Sequence, residues 1–218
     1  TRLSNLGAGK VKNCISNMQL ERLASPFGPT GGRMVRPTDG RQPLQVAFVQ
    51  CAGSRDQNHL NYCSYICCMA TLKQCLYLSE QSPQTQITVY YIDLRAPGRY
   101  TKVLEKVQAL PNVHFVKGKV ADVVQAPGDM VRLTAEDAVR GEKMTLDYDL
   151  VLATGMQPSL AGEDAPLPLP LDEDGFIAGG EEAGIFAAGC ARMPLDVMRS
   201  AQSGTAAALK AVQTVKGR

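Results

Sequence analysis

Hydrophobic positions along the chain recur with two periods, and the changes of period divide it into alternating strands and helices. Continuous apolar runs rich in β-branched and aromatic residues predict buried strands over 45–50 and 87–93. Apolar residues spaced by three and four predict helices over about 62–80 and 98–110. Because each helix follows a strand, the two helices can serve as the crossovers that a parallel sheet requires.

The second half of the chain carries shorter β segments. Residues 113–149 alternate apolar and polar positions between turns, which predicts a three-stranded β excursion. An apolar strand then leads into Thr154-Gly155, and 184–189 predicts another short buried strand. Pro194 lies where a last helix can begin. This order predicts a layered α/β fold that collects ligands at the carboxyl ends of its strands.

Composition and charge exclude several classes of protein. Of the 218 residues, 44% are hydrophobic and 20% are charged, which is ordinary for a globular domain and argues against a disordered chain. The net charge of +2 is too small to indicate a surface for nucleic acid. No run of about 18 apolar residues is present, so we expect no segment of the sequence to span a membrane.

Positive charge is nevertheless concentrated at one end of the chain. Residues 1–41 hold seven Lys and Arg against two acids, and a run rich in Gly and Pro interrupts them. We therefore interpret 1–44 as a basic connecting segment, 45–155 as a nucleotide-binding-like α/β domain and 156–218 as the carboxyl-terminal part of a further domain. The sequence begins without an initiator methionine or a secretory signal, as expected of a fragment.

Seven cysteines are present, an odd number that argues against a disulfide framework and favours a reducing, cytoplasmic compartment. Four of the seven fall within residues 51–68. These four are Cys51, Cys63, Cys67 and Cys68. On the predicted helix Cys63 and Cys67 share one face, and Cys51 follows the preceding strand. The spacing therefore predicts a site formed by a strand end and the start of a helix.

Four thiols make a soft ligand set, which selects iron–sulfur clusters or zinc over magnesium and calcium. Zinc sites usually have paired knuckles, whereas Cys67 and Cys68 are adjacent, so an iron–sulfur cluster is the favoured interpretation. Zinc, a redox-active thiol site and inert buried thiols stay open as alternatives. We interpret His59 as a solvated loop residue, and Cys14 and Cys75 as packing thiols.

The turn after the first strand lacks the glycines of a dinucleotide-binding fingerprint. That fingerprint has the pattern G-x-G-x-x-G, and here Gly53 is the single glycine of 50–56. Asp93, at the end of the second strand, could contact a ribose, and Arg95 and Arg99 could contact its 2′-phosphate. Without the glycines, however, we do not expect NAD(P) binding.

Several segments of the chain together form a recognisable set. They are residues 28–32, residues 46–56, Tyr62-Cys63-Ser64, Cys67-Cys68-Met69, residues 184–191, Asp196-Val197 and residues 201–204. This set resembles the flavin subunit of the heterodisulfide reductase family, over nearly the whole chain. Within the family the chain looks closest to the flavin subunit of the quinone-interacting membrane-bound oxidoreductase complex.

The resemblance implies a thioredoxin-reductase-like FAD/NAD(P)-binding fold of the Rossmann type, with FAD and a [4Fe–4S] cluster as cofactors. It implies that the four clustered cysteines are the ligands of the cluster. The residues that it implies for flavin contact are Thr154, Gly155, Gly189, Cys190, Asp196 and Val197. Cys190 stands where many flavoproteins have an aspartate, so its role is open between packing and flavin contact.

The resemblance also has consequences for the isolated chain. The glycine-rich FAD turn of the family is not found in this sequence. We therefore expect residues 156–218 to be the carboxyl-terminal part of an FAD-binding domain that shares its FAD with a missing amino-terminal half. The chain would be a carboxyl-terminal fragment, inactive by itself and weak in FAD binding.

The function that the resemblance implies is that of an electron-transferring oxidoreductase subunit. It would work with other subunits of a soluble or membrane-associated complex. Such a subunit would be cytoplasmic and would reach the inner membrane only through its partners. The alternative, from a different class, is a non-catalytic module whose metal or thiol site braces a subunit interface. No residue of the sequence is singled out for proton transfer.

Overall fold

The computed structural model describes residues 6–158, 169–180 and 184–217. Part of the predicted carboxyl-terminal domain, 156–218, lies outside these described residues. The chain divides into two compact units. The first contains residues 1–53 and 67–155, and the second contains residues 54–66 and 156–218. The functional labels given to 1–44, 45–155 and 156–218 stay predictions.

The first unit combines a parallel sheet, three helices and a small antiparallel sheet. In chain order its elements are β1 (Cys14–Ser16), α1 (Asn17–Ala24), β2 (Gln45–Val49), α2 (Cys67–Gln81), β3 (Gln86–Tyr91), α3 (Thr101–Gln108), β4 (Val113–Lys117), β5 (Val120–Gln125), β6 (Val131–Asp137), β7 (Glu142–Tyr148) and β8 (Leu150–Ala153). The second unit contributes α4 (Val197–Val215). None of the helices in the described ranges is both long and apolar enough to cross a membrane.

The parallel sheet has the strand order β1-β8-β2-β3-β4. Strands β2 and β3 pair in parallel, with Phe48 opposite Val89, which confirms the predicted adjacency of 45–50 and 87–93. Strand β8 lies on the other side of β2, with Leu152 opposite Phe48. All four residues of β8 are fully buried. Continuous apolar strands of this kind are typical of parallel sheets that are covered on both faces.

Each face of the parallel sheet has its own core. On one face, Ala47 and Val151 belong to a buried cluster with Leu133 of the antiparallel sheet. On the other face, Phe48 belongs to a cluster that includes Leu72 of α2, as well as residues of α1 and α3. The central strands therefore bury side chains in both directions, and this burial is the main term that stabilises the unit.

Strand β1 and helix α1 were not anticipated, because residues 1–44 were interpreted as a connecting segment. The signal for the helix was nevertheless in the sequence. Ser16 caps α1 by accepting from the backbone N–H of Gln19, and the side chain of Gln19 accepts from the backbone N–H of Ser16. This reciprocal pair is a capping box. Leu20, which is fully buried, attaches α1 to the core.

Helix α2 begins later than its apolar spacing predicted. It starts at Cys67 rather than near residue 62, so the prediction that Cys63 and Cys67 share a helical face is wrong. Tyr65 explains the difference, because its φ of 60° lies in the left-handed region, where a right-handed helix cannot run. The helix ends at Gln81, before Ser82-Pro83, as predicted.

The β excursion is also shorter than predicted. Residues 113–117 form β4, an edge strand of the parallel sheet, and the three-stranded antiparallel sheet consists of β5, β6 and β7. The chain changes sheets at Gly118. A Cβ at this position would collide with the carbonyl oxygen of Glu136, so only glycine lets the two segments approach. The alternating pattern alone could not show this break.

Two predictions for the second unit are wrong. Residues 184–188 form no strand, and they are only half-buried or exposed, with no strand of the described chain beside them. The last helix begins at Val197 instead of Pro194, because Asp196 provides the cap by accepting from the N–H of Arg199 at 2.8 Å. No described residue of α4 is buried.

A buried pair of tyrosines joins the two sheets of the first unit. The hydroxyls of Tyr90 and Tyr148 lie 2.8 Å apart, and both rings are buried. Burial, and then the hydrogen bond to Tyr148, raise the pKa of Tyr90. We expect Tyr148→Phe to lower the free energy of unfolding in urea by about 1–3 kcal/mol, because it leaves the Tyr90 hydroxyl buried without its partner.

The double variant Tyr90→Phe/Tyr148→Phe is the control for this prediction. It removes both polar atoms, so it should be more stable than the sum of the two single changes indicates. Additive losses in the double variant would show that the hydroxyl pair does not couple the sheets.

Two thiols are part of the packed core. Cys14 and Cys75 are buried, and burial raises the pKa of Cys14 to about 12 and that of Cys75 further. Because the thiolate is the reactive form, iodoacetamide at pH 8 should leave both unmodified in the folded chain while it labels the exposed Cys190. Peptide mapping by mass spectrometry measures this, with the denatured chain as control. Labelling of Cys14 at the rate of Cys190 would contradict the burial.

Candidate functional site

The candidate site begins where β2 and β8 end side by side. The backbone N–H of Thr154 donates to the carbonyl of Val49 at 3.0 Å, and the N–H of Ala52 donates to the carbonyl of Thr154 at 3.1 Å. Cys51, which lies between Val49 and Ala52 in the chain, has a φ of 52°. This left-handed conformation turns the chain sharply at the end of the strand. The sheet thus fixes the backbone on which Cys51 is placed.

Three of the four predicted ligands form one buried cluster in the first unit. Cys51, Cys67 and Cys68 pack together, with Ile92 against them. The sulfurs of Cys51 and Cys67 are 3.8 Å apart. Cys67 and Cys68 are the first two residues of α2, so they lie where the helix has unpaired backbone N–H groups and a positive dipole end. This surrounding favours negatively charged sulfur.

Cys68 has polar neighbours of both kinds. Its sulfur accepts from the backbone N–H of Arg95 at 3.3 Å. It also lies 3.4 Å from the side-chain oxygen of Gln50 and 3.5 Å from the backbone oxygen of Asp93, to which its S–H can donate. The two oxygens can therefore accept from the neutral Cys68 thiol, and the Arg95 N–H is already placed to stabilise its thiolate.

The fourth predicted ligand, Cys63, belongs to the second unit. Its sulfur accepts from the backbone N–H of Tyr65 at 3.4 Å. The adjacent Tyr62 donates its hydroxyl to the carbonyl of Met156 at 3.1 Å, and its ring meets that of Phe176 edge to face. Burial, and then the negative charges of two nearby aspartates, raise the pKa of Tyr62 to about 12. Tyr62 therefore remains a neutral anchor for the segment that carries Cys63.

Within residues 6–158, 169–180 and 184–217, no three His, Cys, Asp or Glu side chains are arranged to hold a metal ion. The four-cysteine ligand set is therefore still a prediction.

The residues predicted to contact a flavin fall in both units. Thr154 and Gly155 are buried at the end of β8, and in the described part of the chain the Thr154 hydroxyl has no hydrogen-bond partner. In the second unit Gly189 starts a short 3₁₀ turn with a φ of 59° and donates its N–H to the hydroxyl of Ser203. Their flavin role stays a prediction.

The remaining predicted flavin residues lie around the start of α4. Cys190 is exposed, with its sulfur 3.4 Å from the carbonyl of Leu195. The carboxylate of Asp196 caps the helix, and Val197 is 87% exposed. Asp196 and Val197 therefore mark the start of α4, and Val197 offers apolar surface.

Two polar neighbours of the cysteine cluster were missed in the sequence. Gln50 was treated only as the last residue of a strand, and Arg95 only as a possible phosphate ligand. Their positions contained a signal, because both follow adjacent parallel strands, whose carboxyl ends meet at one edge of the sheet. A neutral amide and a backbone N–H carry no recognisable motif, however, so the sequence alone did not distinguish them.

Comparisons with known proteins find relatives among the subunits of heterodisulfide reductases. No protein-family model matches it. It is 37% identical, over 97% of its residues, to an A-type iron-sulfur subunit of the CoB–CoM heterodisulfide reductase of Methanopyrus kandleri. It is 38% identical, over 98% of its residues, to the A-type subunit of the ferredoxin/F420H2-dependent CoB–CoM heterodisulfide reductase of Methanosarcina acetivorans. The chain covers 34% and 28% of these relatives, respectively.

Solved structures confirm the predicted fold class. The thioredoxin reductase of T. acidophilum superimposes with a TM-score of 0.52 at 17% identity, over 78% of this chain and 53% of that one. The Lactococcus lactis thioredoxin reductase gives 0.51 at 15% identity, over 79% and 54%. At these identities the likeness concerns the fold alone.

The resemblance noted in the sequence is thus confirmed: over nearly all of its residues the chain is a relative of the A-type subunits of heterodisulfide reductase, and it spans about a third of their length.

Proposed function

We propose that this chain is part of an electron-transferring oxidoreductase subunit that depends on FAD and a [4Fe–4S] cluster, within a heterodisulfide-reductase-like complex. The observation that carries the proposal is the buried cluster of Cys51, Cys67 and Cys68, in a chain whose relatives include a reductase "iron-sulfur subunit". The relation to reductase subunits favours this function over the non-catalytic interface module.

The proposed cluster ligands are the three cysteines of the buried group, Cys51, Cys67 and Cys68, with Cys63 as the fourth. Their chemistry fits an iron–sulfur centre, because all four are thiols and thiolates are the usual ligands of such clusters. A bound cluster would supply one-electron transfer. To bind it, each thiol must lose its proton, and the Arg95 N–H and the start of α2 favour that form of Cys68 and Cys67.

Loading the site requires one local movement. The sulfurs of Cys51 and Cys67 are in contact at 3.8 Å. If each of these sulfurs bound iron, the two would no longer contact each other, so the side chains would have to move apart on loading. The positive φ of Cys51 lies in a turn beyond the paired part of β2, so this separation need not disturb the sheet.

The proposed flavin site uses six residues from two parts of the chain. They are Thr154, Gly155, Gly189, Cys190, Asp196 and Val197. FAD, when bound, would exchange electrons as one-electron or two-electron steps. The buried Thr154 hydroxyl can donate to a flavin atom, and the backbone N–H groups at the start of α4 suit a phosphate. NAD(P) is not part of the proposal, because the turn at 50–56 has one glycine.

The partners that we propose are the other subunits of an electron-transfer complex. This is supported by the names of the relatives, which designate them as subunits. We propose a cytoplasmic location, with any membrane contact made through partner subunits. The narrower resemblance to the quinone-interacting complex stays a prediction.

The first test of the proposal uses two buried cysteines of the same helix. After anaerobic reconstitution with iron and sulfide, Cys67→Ala should lose most of the bound iron, because one ligand is missing. Cys75→Ala is the matched control, since Cys75 is equally buried on α2 but packs in the main core. Iron and acid-labile sulfide analysis gives the answer. Equal iron in Cys67→Ala and the wild type would remove Cys67 from the ligand set.

The second test concerns FAD. We expect the chain of 218 residues to bind FAD weakly or not at all, because it contains no glycine-rich turn for the pyrophosphate. Equilibrium titration followed by flavin fluorescence measures the affinity, with the urea-unfolded chain as the control for non-specific quenching. Stoichiometric binding at submicromolar affinity would mean that these residues alone form a sufficient flavin site.

A further inference from the structure

A buried amide group beside the cysteine cluster lacks a hydrogen-bond acceptor. Gln50 is 5% exposed, and in the described chain its side-chain nitrogen has no partner. Leaving a buried donor unsatisfied costs about 1–3 kcal/mol, and such groups are rare in protein interiors. An acceptor that arrives later would remove this cost.

Gln50, which carries this side-chain amide, is held in place by the same sheet that positions Cys51. The backbone N–H of Gln50 donates to the carbonyl of Tyr90 at 3.0 Å, at the end of the β2–β3 pair. From there its side-chain oxygen reaches to 3.4 Å from the sulfur of Cys68. The Gln50 side chain therefore lies within hydrogen-bonding distance of a proposed cluster ligand. Its oxygen contacts the Cys68 sulfur, whereas its nitrogen has no partner among the described residues.

We propose that Gln50 is a positioning residue for the cluster: its side-chain N–H donates a hydrogen bond to the sulfur of Cys68 when that sulfur is a ligand. This inference rests on the function proposed above. A thiolate ligand has no proton to donate, so the present contact to the amide oxygen cannot persist. Rotation of the planar amide by half a turn exchanges oxygen and nitrogen in nearly the same space.

Two other polar neighbours of Cys68 differ from Gln50 in what they can offer the sulfur. The N–H of Arg95 already donates to the sulfur and remains suitable for a thiolate. The carbonyl of Asp93 belongs to the backbone and cannot become a donor. Gln50 is a neighbour whose polarity can reverse: its nitrogen, now buried without a partner in the described ranges, then gains the thiolate as acceptor, and its oxygen gives up the S–H donor.

The consequence is a raised reduction potential. Reduction adds negative charge to the cluster and its sulfurs, and a hydrogen bond to sulfur stabilises that charge. Gln50→Leu removes the donor, and Gln50→Glu keeps the size of the side chain but offers acceptor oxygens or a negative charge. Both should retain iron and should be harder to reduce than the wild type.

The test is a potentiometric titration of the reconstituted chain, followed by electron paramagnetic resonance and paired with iron analysis. We expect Gln50→Leu to raise the oxidised-to-reduced ratio about tenfold at a fixed ambient potential, which is about 59 mV for a one-electron couple. Gln50→Glu should shift it at least as far. Gln74→Leu is the control, because this equally buried amide faces Asn17 and Glu21 and should leave the potential unchanged.

The two proposals fail in different ways. A wild-type chain that takes up no iron overturns the cluster and, with it, the role of Gln50. A loaded wild type whose potential is matched by both Gln50 variants overturns the role of Gln50 alone. An equal shift in Gln74→Leu also overturns it, since the effect would then follow from losing any buried amide.

Discussion

The pairing of β2 with β8 is the constraint on which the rest of the first unit depends. These two strands lie at the centre of the parallel sheet and are buried along almost their whole length. Because they run parallel, their carboxyl ends meet at one edge, where Cys51 and Thr154 follow them. A hydrogen bond from the backbone N–H of Ala52 to the carbonyl of Thr154 joins the two segments at this edge. The position of Cys51 is therefore set by core packing rather than by its own loop.

The start of α2 is fixed by the same core. Leu72, Cys75 and Leu78 attach the helix to one face of the sheet, and this places Cys67 and Cys68 beside Cys51. The thiol cluster is therefore attached to the packed core of the unit.

The sequence predicted the parts of the fold that have strong, local signals. Strands 45–50 and 87–93 were found because parallel central strands are continuously apolar, and the four-cysteine group was found because its density is unusual. The start of α2 was misplaced because the four-residue spacing of Cys63 and Cys67 imitates a helical face. The left-handed conformation of Tyr65 prevents a helix from running through this segment, and residue spacing does not reveal it.

Other features depend on tertiary contacts that no local pattern contains. Strand β1 has three residues, too few for a periodic signal, and it is defined by its pairing with β8. The break at Gly118 depends on a carbonyl that comes from another strand. Gln50 acquires its proposed role only because Cys68, distant in sequence, is brought beside it.

We propose that the fold brings Cys51, Cys67 and Cys68 together to hold an iron–sulfur cluster. Diffraction at the iron absorption edge, from crystals of the anaerobically reconstituted chain, tests it most directly. We predict anomalous peaks that place iron atoms within bonding distance of the sulfurs of these three cysteines and of Cys63. Iron-loaded crystals in which the sulfurs of Cys51 and Cys67 remain in contact, with the iron bound elsewhere, would contradict this proposal.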